Sequence, residues 1–406
     1  LRTEGDGETT GFIIDPPAQE SAFILPVLDL GGLRETERTA AIEHAFAELS
    51  NDLAPEQRGG MIAARWVEQG GTAPAILLLV IHHFAVDGVS WRILLEDLNT
   101  LTAAVPSALP APTLPLRAFA LTLEEEGRSG LRRHEQALWL DQLDGATALP
   151  QDQIARHDRN TLEAAAHVHG ALEVAQTQQL LRAPGIYHGG INDVLLAALG
   201  LALREWSLEQ YGLDLGDPLI ALEGHGRETE ADLTRTVGWF TSLFPVRLPI
   251  GALDLNDAAS AGHAIKAVKD RLHALPYKVI GFGFLRYLDD EGGLDRPALA
   301  QPQVLFNYLG RFEHTPETSD DRWRMLGQGL SASAHDPEQR RLHLIDINAV
   351  IDAQGALAFH IGYSPEAHHE QRIEALVTHF KRALLALSEH CAHSPLVNRF
   401  SPSDFG

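Results

Sequence analysis

The chain predicts a mixed α/β (α+β) fold in two lobes, on three observations. Short apolar runs of strand length alternate with longer stretches whose apolar residues recur at helical spacing. One such run, Ile76-Leu-Leu-Leu-Val-Ile81, stops at His82-His83, and beyond Asp87-Gly88 the pattern becomes helical through Val89, Ile93, Leu94, Leu98 and Leu101. The strand–helix alternation then restarts near residue 165, which divides the chain into lobes 1–166 and 167–406.

Composition narrows the functional classes. A chain of 406 residues with 45% apolar content holds a substantial core in each lobe. Lys plus Arg number 32 against 55 Asp plus Glu, a formal charge of −23. That balance argues against a non-specific grip on nucleic acid or anionic lipid. Cys391 is the single cysteine. It excludes an intrachain disulfide and a multi-cysteine metal site, and fits a reducing, cytoplasmic setting. No apolar run reaches membrane-spanning length and no signal-peptide layout opens the chain. Leu1 in place of an initiator methionine, and an opening in mid-strand, are expected of a piece of something longer.

In order, residues 11–14 and 22–28 read as strands split by Asp15-Pro-Pro, and 34–55 as a helix with Ala40, Ile42, Ala45, Phe46 and Leu49 on its apolar side. Residues 61–67 and 75–81 read as strands joined over Gly70-Gly71. The second is expected to be buried on both faces because its residues are uniformly apolar. Prolines 106, 110, 112 and 115 break a connector, and 118–144 reads as one helix. In the second half, 168–174 is a strand, Asn192 is the expected N-cap of a long apolar helix, and Leu219-Ile-Ala-Leu222 is a short buried strand. Residues 237–248 look extended, 256–273 helical and 303–306 extended. Residues 345–351 and 357–363 pair over a turn at 353–355, and 367–390 form the last helix.

Three strand ends concentrate polar chemistry. Neighbouring side chains on an extended segment point to opposite sides, so His82 and His83 do not both face one substrate. One reacts while the other orients, or Asp87 fixes the ring tautomer, or one or both fill polar gaps beside the Asp87 turn. Imidazole suits proton transfer near neutral pH. A metal reading lacks further ligands at recognisable spacing, so no metal is expected. In Glu223-Gly-His225-Gly-Arg227-Glu228, two glycines around a histidine bend tightly at a strand end. The alternative is a solvated polar loop. Because Glu223 follows an apolar run, its carboxylate is expected at a buried edge, where desolvation makes it a better proton acceptor. Asn307 and Tyr308 end a third strand, and Arg235 precedes a Gly-Trp-Phe step. Ser90 lies on the helix side of its turn and is set aside as a nucleophile. Gly281-Phe-Gly283 lacks the spacing of a nucleotide fingerprint.

His82-His83-Phe-Ala-Val-Asp87-Gly88 resembles the HHxxxDG signature of the condensation-domain superfamily of non-ribosomal peptide synthetases, which shares a fold with chloramphenicol acetyltransferase. Within it the chain looks like an epimerization domain. The extension to Trp91, the Glu223–Glu228 box, Arg235-Thr-Val-Gly-Trp-Phe-Thr-Ser, Phe306-Asn-Tyr-Leu-Gly310 and Gly362-Tyr-Ser364 follow in the family order. The resemblance implies two chloramphenicol-acetyltransferase-like lobes set in a V with a tunnel between them. By that resemblance the first lobe, 1–166, is expected to lack the strand and helix with which members begin, whether these are absent from the protein or only from this sequence. It also implies inversion at Cα of an L-aminoacyl or peptidyl thioester held on the phosphopantetheine arm of a peptidyl carrier protein, giving the D-configured thioester for antibiotic biosynthesis.

By the same resemblance His83 and Glu223 face each other across the cleft as the proton-transfer pair. Asn307, Tyr308 and Arg235 complete the catalytic set, with His82, Asp87, Trp91, His225 and Arg227 in support. Arg235 is expected from the second lobe, backing Glu223 or the enolate. Asp87 is expected to orient its loop, paired with Arg92 or another basic residue. The domain needs no cofactor of its own. Its partners are an upstream carrier protein and, as a further candidate, a downstream condensation domain, with neither nucleic acid nor membrane. The alternatives are an amide-forming condensation domain and an inactive module that binds carrier proteins.

Overall fold

A computed structural model describes residues 1–5, 10–15, 25–103, 107–156, 158–255, 257–276, 279–289, 291, 293, 294, 296, 299–311, 323, 326, 336–393 and 399–405. They form two compact units that are not continuous in sequence. The first comprises residues 1–122 and 229–240 with the described part of 317–336; the second comprises 123–228, 241–316 and 337–406.

In the first unit, β1 (Arg2–Gly5) and β2 (Thr10–Ile13) pair as an antiparallel ribbon. Of the strand expected over 22–28, residues 22–24 lie outside the described residues, and β3 spans Val27–Asp29. Helix α1 (Glu35–Asn51) follows, then β4 (Ile62–Glu68) and β5 (Ile76–Ile81). β4 is parallel to β3 and antiparallel to β5, with Ile62 opposite Ile81. Gly70 and Gly71 take left-handed φ values of 80° and 60° in the β4–β5 connection, as a glycine pair at a turn permits. Leu30, Ala45, Leu49, Val67 and Leu78 form the core between the sheet and α1.

The uniform apolarity of β5 is not matched by burial on both faces. Within β5 only Leu78 is buried, and among the described residues β5 ends the β3-β4-β5 order. Helix α2 (Gly88–Thr102) follows with Ile93 buried, and α3 spans Leu116–Arg128. The single helix expected over 118–144 is broken. Gly130 adopts φ 71° and a 3-10 turn at Arg133–Glu135 leads into α4 (Gln136–Leu143).

The second unit contains α4, β6 (Ala166–Ala171), α5 (Val174–Leu180), α6 (Ile191–Tyr211), β7 (Leu219–Gly224), β8 (Ser242–Arg247) and α7 (Ala258–Ala274). A short α8 (Gly281–Gly283) runs into one π turn, followed by β9 (Val304–Arg311), β10 (Ile345–Ile351), β11 (Leu357–Tyr363) and α9 (Glu370–His393). The cap of α6 is Gly190 rather than Asn192. Asp193 accepts from the Gly190 N–H at 2.6 Å, since its carboxylate three positions on reaches the free amide of the first turn.

The six-stranded sheet runs β6-β11-β10-β9-β7-β8, with β9 parallel to both β10 and β7. Alternation sends Val168, Phe359, Ile361, Ile345, Ile347, Val304 and Phe306 into a core shared with α6 and α9. The other face carries His169 opposite His360, His360 opposite Asn348, and Asn348 beside Asn307. Among the described residues no single helix is long and apolar enough to cross a membrane. The apolar run of α6 from Val194 to Leu203 is buried inside this unit.

Candidate functional site

In the first unit, β5 delivers the two histidines into a 3-10 turn at His83–Ala85. His82 caps this turn and His83 is its first residue. His82 folds back so that its Nδ1 accepts from the Phe84 N–H at 3.2 Å, which leaves Nε2 to carry the proton of a neutral ring. Burial, and next the neighbouring His83, lower its pKa, so the neutral form is favoured. His83 is exposed, and its ring centre lies 5.0 Å from that of Trp239.

Asp87 is buried and caps α2: Oδ1 accepts from the Ser90 N–H at 2.7 Å and Oδ2 from the Phe240 N–H at 3.3 Å. Through these two amides Asp87 ties the start of α2 to residue 240. Ser90 is buried with its hydroxyl donating to the Gly238 carbonyl at 3.0 Å and accepting from the Gly238 N–H at 3.1 Å. A Cβ on Gly238 would stand 2.9 Å from the Leu116 side chain, so only glycine lets strip and helix approach this closely. Trp91, partly buried, donates its backbone N–H to the Asp87 carbonyl at 3.1 Å in the first turn.

Arg235 belongs by its contacts to this first unit, with His83 and Asp87. Its guanidinium meets Asp97 of α2 at 2.5 Å, and its N–H donates to Thr113 Oγ1 at 3.2 Å. The resemblance, with a lobe boundary near 166, leads to the expectation of Arg235 from the second lobe; by contacts it groups with residues 1–122. The strand begins only at Ser242, and the residues ahead of it are held by Asp87, Ser90, Asp97 and Thr113. Asp97 and Trp239 were not singled out from sequence; the charged partner spacing of Asp97 is invisible without the fold.

In the second unit, Glu223 is the penultimate residue of β7, opposite Leu243 of β8. It is exposed, which corrects the expectation of a buried edge; the apolar run ends one residue earlier, at half-buried Leu222. The loop behind it is ordered by its own side chains. His225 Nδ1 accepts from the Arg227 N–H at 3.2 Å while its Nε2 meets Glu228 at 3.1 Å. Gly226 has φ 63°, a conformation that explains glycine there. β7 and β9 run parallel with Leu222 beside Phe306, so Glu223 and Asn307 are each the next residue along adjacent strands. Tyr308 follows, half-buried, and burial raises its phenol pKa while Arg311 opposes. Among the described residues, no group of three or more His, Cys, Asp or Glu is arranged to hold a metal ion.

These elements define a member of a known family. The condensation-domain profile matches residues 2–398, and the chain belongs to the condensation-domain family, with its chloramphenicol-acetyltransferase-like mixed α/β fold. It is 36% identical over 345 residues to tyrocidine synthase 2 of Brevibacillus parabrevis, covering 81% of this chain and 9% of that protein. Against surfactin synthase subunit 1 of Bacillus subtilis (strain 168) it is 34% identical over 376 residues, covering 90% of this chain and 10% of that protein. The chain therefore spans only a small part of the length of these relatives. The crystal structure of the epimerization domain from the third module of tyrocidine synthetase B superposes with a TM-score of 0.75 at 32% identity, covering 90% of this chain and 80% of that one. The first condensation domain of the calcium-dependent antibiotic synthetase shares the fold, at TM-score 0.60 and 19% identity, over 97% of this chain and 84% of that one.

Proposed function

We propose that this domain inverts Cα of an L-aminoacyl or peptidyl thioester delivered on the phosphopantetheine arm of a carrier protein, as part of a non-ribosomal peptide synthetase. The observation that carries this reading is the similarity to the tyrocidine synthetase B epimerization domain, stronger in both identity and TM-score than that to the condensation domain of the calcium-dependent antibiotic synthetase. The boxes at His82–Trp91 and Glu223–Glu228 support it.

A thioester acidifies Cα–H only modestly, so the reaction needs a base for one face, an acid for the other, and a donor for the enolate oxygen. Exposed Glu223 is assigned to the Cα proton and exposed His83 to reprotonation or to holding the enolate. Asn307, one strand over from Glu223, offers amide N–H groups for the oxygen, and Tyr308 is its neighbour. His82, neutral and turned to its own backbone, fixes the turn. Arg235, held by Asp97, is assigned to positioning the 235–240 strip. His225 and Arg227 shape the loop behind Glu223. The lobes at 1–166 and 167–406, the upstream carrier protein, a downstream condensation domain and a cytoplasmic setting belong to the same proposal.

The test is a carrier-loaded L-aminoacyl thioester in deuterated water. Solvent deuterium at Cα with loss of chirality is expected, falling at least about a hundredfold in Glu223→Gln and in His83→Gln, the range of a lost acid–base group. Amide formation with a second loaded carrier and no Cα exchange would establish condensation instead, the reading suggested by the family's own description. Carrier binding with neither reaction would leave a binding module.

A further inference from the structure

Trp239 is exposed to 47% in a strip whose other members, residues 235–240, are buried or half-buried, and the surrounding bonds explain why. Its predecessor Gly238 is fixed at both backbone groups by Ser90, and the N–H of its successor Phe240 is held by Asp87. The Phe240 ring packs inward, 5.4 Å from Phe119. With Gly238 and Phe240 both anchored, the indole between them is left exposed. It lands against the histidine turn, its ring centre 5.0 Å from that of His83 and 5.8 Å from that of Phe84, stacked on the latter. Phe12, itself 53% exposed, meets Phe84 edge-on at 5.3 Å. An acidic protein thus presents an aromatic wall with the His83 imidazole at its border.

We propose that Trp239, with Phe84 and Phe12, is the surface through which this domain selects the side chain of its acyl substrate, favouring apolar and aromatic ones. The inference rests on the epimerization reading and deepens it. A Cα placed for proton exchange with His83 carries its side chain on a tetrahedral carbon within about 4–5 Å of the imidazole, a contact distance for the indole. An apolar side chain there covers exposed aromatic surface, whereas a charged one would be desolvated without a partner.

The experiment compares L-phenylalanyl, L-alanyl and L-aspartyl thioesters on the same carrier protein, by deuterium entry at Cα, in wild type, Trp239→Ala and Trp239→Phe. The wild type is expected to prefer phenylalanyl over aspartyl. In Trp239→Ala, kcat/KM for the phenylalanyl thioester should fall about tenfold more than for the alanyl one, the scale of one lost apolar contact in a pocket. Trp239→Phe should restore most of the difference. Equal losses for both thioesters would overturn the selectivity role and leave Trp239 acting through His83 or the fold; no loss would overturn it outright. A wild type that exchanges no thioester would instead refute the epimerization reading, and this assignment with it.

Discussion

Replacing Asp87 by alanine removes one carboxylate that serves two elements. Its first oxygen caps α2 through the Ser90 N–H, a contribution of about 1 kcal/mol. Its second satisfies the Phe240 N–H, a buried donor that costs about 1–3 kcal/mol when left unpaired. Together the change is about 2–4 kcal/mol, concentrated where α2 meets the 235–240 strip. Amide hydrogen exchange reads this locally: in Asp87→Ala, Ser90 should exchange about 5-fold and Phe240 about 5-fold to 150-fold faster, at a factor of about ten per 1.4 kcal/mol. Asp87→Asn keeps one acceptor for two donors, so only one of the two amides should lose protection. Cα exchange is expected to fall with this loosening, through the position of Trp239 and His83. Both amides staying protected in Asp87→Ala while Cα exchange disappears would place Asp87 in the chemistry and refute the structural reading.

Arg235→Ala should lower Cα exchange about tenfold while leaving carrier affinity within about threefold, and Asp97→Asn should reproduce it, with the double variant no worse than either single one. A carrier-binding defect, or an Arg235 effect that Asp97→Asn does not share, would show that Arg235 works elsewhere. Acid stability should be set in part by His368, whose pKa burial lowers to about 4. Its folded value lies below the unfolded 6.5, so the stability tied to its neutral form is complete above about pH 6.5 and is lost as pH falls toward 4. The difference is worth about 3 kcal/mol over that window. Urea midpoints of wild type and His368→Gln at about pH 7 and pH 4.5 check this: the variant should lose less between the two, and parallel losses would remove His368 from the account.

What the sequence could disclose follows the range of each interaction. The strand that ends at His82, the Asp87-Gly88 handover and the helix to Thr102 were legible because neighbours in sequence decide them: alternation, a capping carboxylate and helical spacing act within a few residues. The exposure of Glu223 was not, since apolarity before a residue says nothing about what covers it; the register with β8 and β9 decides that. Least legible was the strip at 235–240. Its apolar and aromatic letters suit a strand, yet its partners are Asp87, Ser90, Asp97 and Thr113, more than a hundred residues away. A one-oxygen contact at that separation has no periodic signature. The contacts that hide the strip from sequence reasoning are those that hold the Trp239 indole beside His83.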